Sequence, residues 1–283
     1  MTVEFIPPQT RTIPATMDLH NTWPKYLTLV LAIPLLPRCP DDMVPFMVIG
    51  LVFCLLCCHF SPDKVHIPTS FWDKIVIGTN LFLTYLSGKI FVETGKDYIQ
   101  SVDSLTSLPW KQLIYPLCWV TIEETLFYLI HKFFHQPGIY EKCHKMHHKF
   151  KTTSAWTSFY SHPFDQLFAI LWTALGPPLL QLRVLQIPVC APIVTLWLFG
   201  AIITFTVSHH TVKGSGGHAE GSDHLEHHQK FNVNFGNFGY YDMAGGSYAG
   251  RMEQREKNRI KDEKRKVEGE RKKKEEEEEK KVE

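Results

Sequence analysis

The stretch EETLFYLIHKFFHQPGIYEKCHKMHH, Glu123 to His148, sets five histidines within eighteen positions at the end of an apolar run. His131 and His135 are four apart, so on a helix they share one face, with Tyr128 and Glu124 on the same stripe. His144, His147 and His148 follow at i, i+3 and i+4, which points three imidazoles at one locus if the segment is helical. His224, His227 and His228 copy that spacing eighty residues later. Twelve of the fifteen histidines lie between His131 and His228, leaving His20, His59 and His66 outside, so the clustering overrides the ordinary reading of a lone core or surface histidine. Neutral imidazole ligates iron, zinc, copper and nickel, and one tetrahedral zinc has room for only four ligands. The pattern predicts more than one bound ion. It is not a zinc-protease motif, because Lys132 stands where H-E-x-x-H requires its general-base glutamate.

Outward from this stretch the charge is unevenly spread. Residues 251–283 carry 26 of the chain's 59 charged side chains, so a net charge of +1 conceals an apolar body and a highly charged tail. Met43 to Phe60 is eighteen residues without a charge, and Ile75 to Phe91 has only Lys89, near an end where its stem can reach the interface. These predict a first transmembrane hairpin joined by SPDKVHIPTS. Leu113 to Ile130 is apolar except for Glu123 and Glu124, and reads as a helix leaving the bilayer with the first histidine pair. Between Phe164 and Val207, punctuated by Gly176-Pro177-Pro178, Arg183, Pro188 and Pro192, two spans fit with a turn near Arg183. A two-span hairpin returns the chain to its starting side, so histidines before Phe164 and after Val207 meet on one face. The fold class expected is an all-α integral membrane protein, with about four transmembrane helices in two hairpins and a cytosolic, histidine-rich helical metal-binding region.

The boxes HKFFH, HKMHH and HLEHH together resemble those of the fatty acid hydroxylase and sterol desaturase superfamily of membrane di-iron oxidases. Glu123-Glu124 sit where that family has an acidic pair, and His162-Pro163 resembles its His-Pro step. FNVNFG (Phe231 to Gly236) and YYDMAGGSY (Tyr240 to Tyr248) resemble its ending, the GGSY form being most like the sterol C5-desaturase branch. The resemblance spans roughly Leu113 to Tyr248 and marks a catalytic domain of this type (113–250), while composition sets off a disordered lead-in (1–22), an N-terminal membrane region (23–112) and a charged cytosolic tail (251–283).

The resemblance implies two iron ions held by His131, His135, His144, His147, His148, His224, His227 and His228, with His210 as a ninth ligand and His209 its alternative. The family has a single histidine after this span, followed within two residues by glycine, whereas this chain reads His209-His210-Thr211-Val212. Glu124 and Asp242 are candidate acceptors for the second nitrogen of a ligating imidazole, Asp242 being otherwise a turn residue. His162 is a ligand, a partner of a ligand or a helix-entry residue, and the roles of His209 and His218 stay open.

The function implied is an oxygen-dependent membrane lipid oxidoreductase, a sterol desaturase or hydroxylase, with electrons from NAD(P)H through cytochrome b5 and its reductase. An acyl or sphingolipid hydroxylase is the alternative. No nucleotide fingerprint is present, so a nicotinamide must act through another protein, and no nucleic-acid partner is expected. Metal transport without catalysis would call for ionisable residues inside several spans, whereas these histidines follow spans. The seven cysteines show no disulfide framework. Lys280-Lys281-Val282-Glu283 resembles a dilysine retrieval signal, which implies the endoplasmic reticulum membrane with the metal site and C-terminus cytosolic.

Overall fold

The computed structural model describes residues 35–213, 219–220 and 223–249. The expectations for the lead-in, for His218 and for the tail with Lys280 and Lys281 fall outside these residues.

Five helical runs build the body: α1 (Met43–His59), α2 (Phe71–Gly95), α3 (Ile114–Phe134), α4 (Pro163–Val184) and α5 (Ala191–Ser208). With the short turns that precede α1 and α3, each is long and apolar enough to cross a bilayer. That is one more than the four expected. The additional one is α3, whose apolar run extends far enough to span while carrying His131 in its last turn.

The outer surface argues for lipid rather than a large soluble core. Only 22% of the most apolar window of α2 is buried, and Ile49, Phe82, Ile90, Leu117 and Trp172 are all more than half exposed. Apolar side chains cluster inside as well. Gly50 of α1 lies against the Phe199 ring of α5, so close that a Cβ would sit 2.3 Å from it.

Local chemistry sets the helix ends. Ser70 and Asp73 form a capping box at the start of α2, with Ser70 Oγ accepting from Asp73 N at 3.2 Å and Asp73 Oδ2 accepting from Ser70 N at 2.9 Å. His162 caps α4, its Nδ1 accepting from Phe164 N at 3.2 Å, with Pro163 in the first helical position. The expected turn near Arg183 falls just after it, and Pro177-Pro178 lie inside the helical run. Wider π-turns at Gln166–Leu171 and Leu180–Val184 flank the prolines and accommodate their missing N–H groups, so the chain turns only between Leu185 and the start of α5.

The five runs alternate in direction, which brings the C-terminal ends of α1, α3 and α5 together with the N-terminal ends of α2 and α4. At that end Val65 N donates to Thr211 O at 3.1 Å and Lys213 N to Asp63 O at 2.6 Å, tying the α1–α2 loop to the segment after α5. At the opposite end the two-residue strands β1 (Ile99–Gln100) and β2 (Val189–Cys190) pair in parallel.

Polar side chains inside the bundle hold the segment between the second box and α4. Asn80 of α2 is fully buried and donates Nδ2 to the carbonyls of Phe159 and Ser161, both at 2.8 Å. Gln166 donates to Thr84 at 3.1 Å. In a low-dielectric interior such bonds fix position, because no water can replace them. Asn80→Ala should strip two buried carbonyls of their donor and cost about 1–3 kcal/mol. The measurement is the thermal unfolding midpoint in detergent, and an unchanged midpoint would refute the role.

Candidate metal centre

The three boxes reach one locus by three different local structures. His131 lies on α3 and His135 is the residue that caps it. The second box is not one regular helix: a π-turn, Tyr140–His144, ends at His144, and a tight 3-10 turn, His147–Lys149, carries His147 and His148. The third lies on α6 (Asp223–Lys230). Lys149 ion-pairs with Asp73 of the α2 capping box and so ties the second box to that helix end.

The ring nitrogens converge in two groups. His131, His135, His144, His148 and His227 form one, and His147, His209, His224 and His228 the other, each with its ligand atoms within 4.8 Å of one another. The Nε2 atom of His144 lies 3.1 Å from those of His131 and His148, and His148 Nε2 lies 3.1 Å from His227 Nε2. In the second group His209 Nε2 is 3.2 Å from His147 Nε2 and 3.0 Å from His224 Nε2.

Four rings have a fixed tautomer. Nδ1–H of His131 donates to Phe235 O at 2.6 Å, that of His227 to Val233 O at 2.6 Å, that of His209 to Phe205 O at 2.9 Å, and that of His144 to Asp165 Oδ2 at 2.9 Å. Carbonyl and carboxylate oxygens only accept, so the opposite nitrogens carry bare lone pairs. His131 and His144 therefore face each other at 3.1 Å with no proton between them. A cation placed between them relieves the repulsion of the two lone pairs. A separation near 3 Å also matches adjacent ligands at right angles about an ion with bonds of about 2.1 Å. The donor set fits two metal ions, one per group.

The structure brings eight of the nine sequence-assigned histidines into these groups and leaves His210 out. His209 takes the ninth position. The reason is local: α5 ends at Ser208, His209 caps it with its ring turned back onto Phe205 O, and His210 points away. His210 is 3% exposed, and its Nε2 has no hydrogen-bond partner. His162 is the exposed cap of α4 and belongs to neither group. His59 and His66 are exposed.

Glu124 and Asp242 touch no imidazole, contrary to expectation. Instead they grip the loop that supplies the carbonyl acceptors. Asp242 accepts from Phe235 N at 2.9 Å, Gly236 N at 2.7 Å and Ser247 Oγ at 2.6 Å, while Glu124 accepts from Asn237 N at 2.9 Å and Phe238 N at 3.1 Å. Gly236 passes between the two carboxylates, where a Cβ would lie 2.6 Å from Glu124 Oε1. Gly245 lies against the Tyr128 hydroxyl, and Gly246 adopts φ 78°, so both glycines of GGSY have structural reasons. Sequence reasoning missed Asp165, the one carboxylate among the described residues that accepts from an imidazole. Its signal was a carboxylate at the start of an apolar span, which needs a partner inside the protein.

Burial holds the rings outside the spans neutral. It pushes His144 down to about 3 and His209 and His210 down to about 4. His135, His147, His148, His224, His227 and His228 also lie well below the ordinary value, through burial first and neighbouring imidazoles second. Neutral rings are the form that binds metal.

Beside the centre, all five helical runs line a largely apolar cavity of about 630 Å³. Phe127 and Phe205 line its end, and they pack on His131 and His209 with ring centroids 5.0 and 4.9 Å apart.

Residues 116–247 match the family model described as fatty acid hydroxylase. The "Fatty acid hydroxylase domain-containing protein 2" of Macaca fascicularis is 32% identical over 130 residues, covering 44% of this chain and 36% of that protein. A "Delta(7)-sterol 5(6)-desaturase" of Aspergillus fumigatus is 28% identical over 170 residues, covering 58% and 48%. A "Methylsterol monooxygenase" of the same fungus is 32% identical over 156 residues, covering 52% and 50%. The chain thus spans half or less of the length of these relatives. No solved structure matches it.

The lowered histidines fix the sign of a pH dependence. In the unfolded chain they take up protons below about pH 6.5, whereas the folded protein admits none until about pH 3 to 4 at His144 and His209. Stability of the metal-free protein is complete above about pH 6.5 and should fall as the pH is lowered through this window. Urea midpoints between pH 7.5 and 5 check this, and a flat profile would contradict the neutral cluster.

Proposed function

We propose that this protein is an oxygen-dependent lipid oxidoreductase of the fatty acid hydroxylase and sterol desaturase superfamily, acting through two iron ions. The observation that carries the reading is the pair of histidine groups beside an apolar cavity of lipid size. The family match over residues 116–247 supports iron over zinc, copper or nickel.

Bound iron supplies activation of dioxygen and removal of hydrogen from an unactivated C–H bond. The chain's own residues do the rest. His131, His135, His144, His148 and His227 hold one ion, and His147, His209, His224 and His228 the other. The Phe235 and Val233 carbonyls, with Asp165, fix ring orientation and keep the inward nitrogens unprotonated. Phe127 and Phe205 pack against the rings, shield them from water and shape the end of the cavity where the substrate carbon is held. Electrons reach the centre from NAD(P)H through cytochrome b5 and its reductase. The metal end faces the cytosol at the endoplasmic reticulum membrane.

A sterol is the favoured substrate and C5-desaturation the favoured outcome, on the GGSY ending and the similarity to a Delta(7)-sterol 5(6)-desaturase. The similarity to a methylsterol monooxygenase and to a fatty acid hydroxylase domain-containing protein keeps sterol hydroxylation and acyl hydroxylation as the second reading. Desaturation and hydroxylation share the first hydrogen removal and part according to how the substrate is held, where a displacement of about 1 Å matters a hundredfold.

Two measurements test this. Purified protein should carry two irons per chain, His209→Ala should lose about one of them, and His210→Ala should keep both. One zinc per chain, or loss confined to the His210 variant, would sink the assignment. Expression in a yeast strain lacking its own sterol C5-desaturase should restore 5,7-diene sterols. An iron-loaded protein that modifies only acyl chains would move the substrate to the second reading.

A further inference from the structure

A second cavity, of about 530 Å³, lies at the metal end between the α1–α2 loop, the start of α2 and His210. It belongs to neither histidine group. Its inner wall carries a buried ring nitrogen, His210 Nε2, without any hydrogen-bond partner. Buried polar atoms are nearly always satisfied, so an unpaired nitrogen on a cavity wall is placed to bond a polar atom of whatever enters the cavity. At the rim, His66 and Lys74 are exposed, and the Lys64 ammonium donates to the His59 carbonyl, so the mouth is polar while the walls at Ile77 and Ala155 are apolar.

The two cavities are neighbours. Leu81 and Trp156 line both, so the two cavities adjoin at these side chains. Resting on the lipid-oxidoreductase reading above, we propose that the second cavity receives the hydroxyl-bearing end of the lipid substrate, with His210 Nε2 as its hydrogen-bond partner. A hydroxyl both donates and accepts, so it satisfies Nε2 in either tautomer, whereas a carboxylate or phosphate satisfies only one. Placement follows from the chain. His210 adjoins His209, whose Nε2 belongs to the four-histidine group, so a hydroxyl held there sets the carbons next to it, rather than the far end of the apolar body, closest to the metal centre.

The test is equilibrium binding to the purified, metal-loaded full chain in detergent. Four probes serve: a Δ7-sterol with a free 3-hydroxyl, its 3-deoxy analogue, octadecanol and octadecane. The wild type should bind the hydroxylated member of a pair about three- to tenfold more tightly, the worth of one neutral hydrogen bond. His210→Phe should erase that preference without weakening the deoxy probe, His210→Gln should retain most of it, and the metal content of both variants should equal that of the wild type. A preference that survives in His210→Phe, an equal loss for both members of a pair, or loss of metal from that variant overturns the proposal. A preference confined to octadecanol upholds the His210 site and overturns the sterol assignment alone. Failure of all four probes to bind fully loaded protein overturns the lipid reading and this inference with it.

Discussion

The structure depends on one repeated contact, an imidazole Nδ1–H held by a fixed oxygen so that the opposite lone pair points inward. Four rings show it, at Phe235 O, Val233 O, Phe205 O and Asp165. Without those acceptors each ring would be free to choose its tautomer and rotate, and neighbouring Nε2 atoms could relieve their repulsion by sharing a proton. With them, the bare Nε2 atoms of His131 and His144 are driven to 3.1 Å, an arrangement that a cation relieves.

Much of the chain after the third box serves those acceptors. Loop 231–238 is forced into shape by Phe231 and Asn234 at φ 67° and 52°, and is clamped by Glu124 on one side and Asp242 on the other. Ser247 of GGSY donates to Asp242, and Asn234 N donates to Ser247 O at 3.0 Å. The carboxylates act at one remove. They hold backbone N–H groups, whose loop then presents carbonyls to the histidines.

The membrane bundle contributes rigidity and access. Asn80, Thr84 and Gln166 bond across spans where water is absent, and they anchor the segment leading to Asp165. The same spans leave an apolar space whose end abuts the metal-facing aromatics. Lipid-facing helices limit approach to the centre to the cavity and the polar end.

By itself the sequence determined the helical class, the location of most spans and the eight box histidines. Span length, the absence of charge and imidazole spacing are local properties that survive without knowledge of the fold. It also carried the parity argument that unites boxes eighty residues apart. Tertiary structure alone decided the division into groups of five and four, and the choice of His209 over His210. That choice turns on which residue closes α5 and which faces the loop after α1, a difference of one position that no spacing rule resolves. It likewise decided the partners of the rings. Val233, Phe235 and Phe205 act through main-chain carbonyls, which every residue possesses and no sequence advertises, and Asp165 meets His144 only because the segment between them folds back on Asn80.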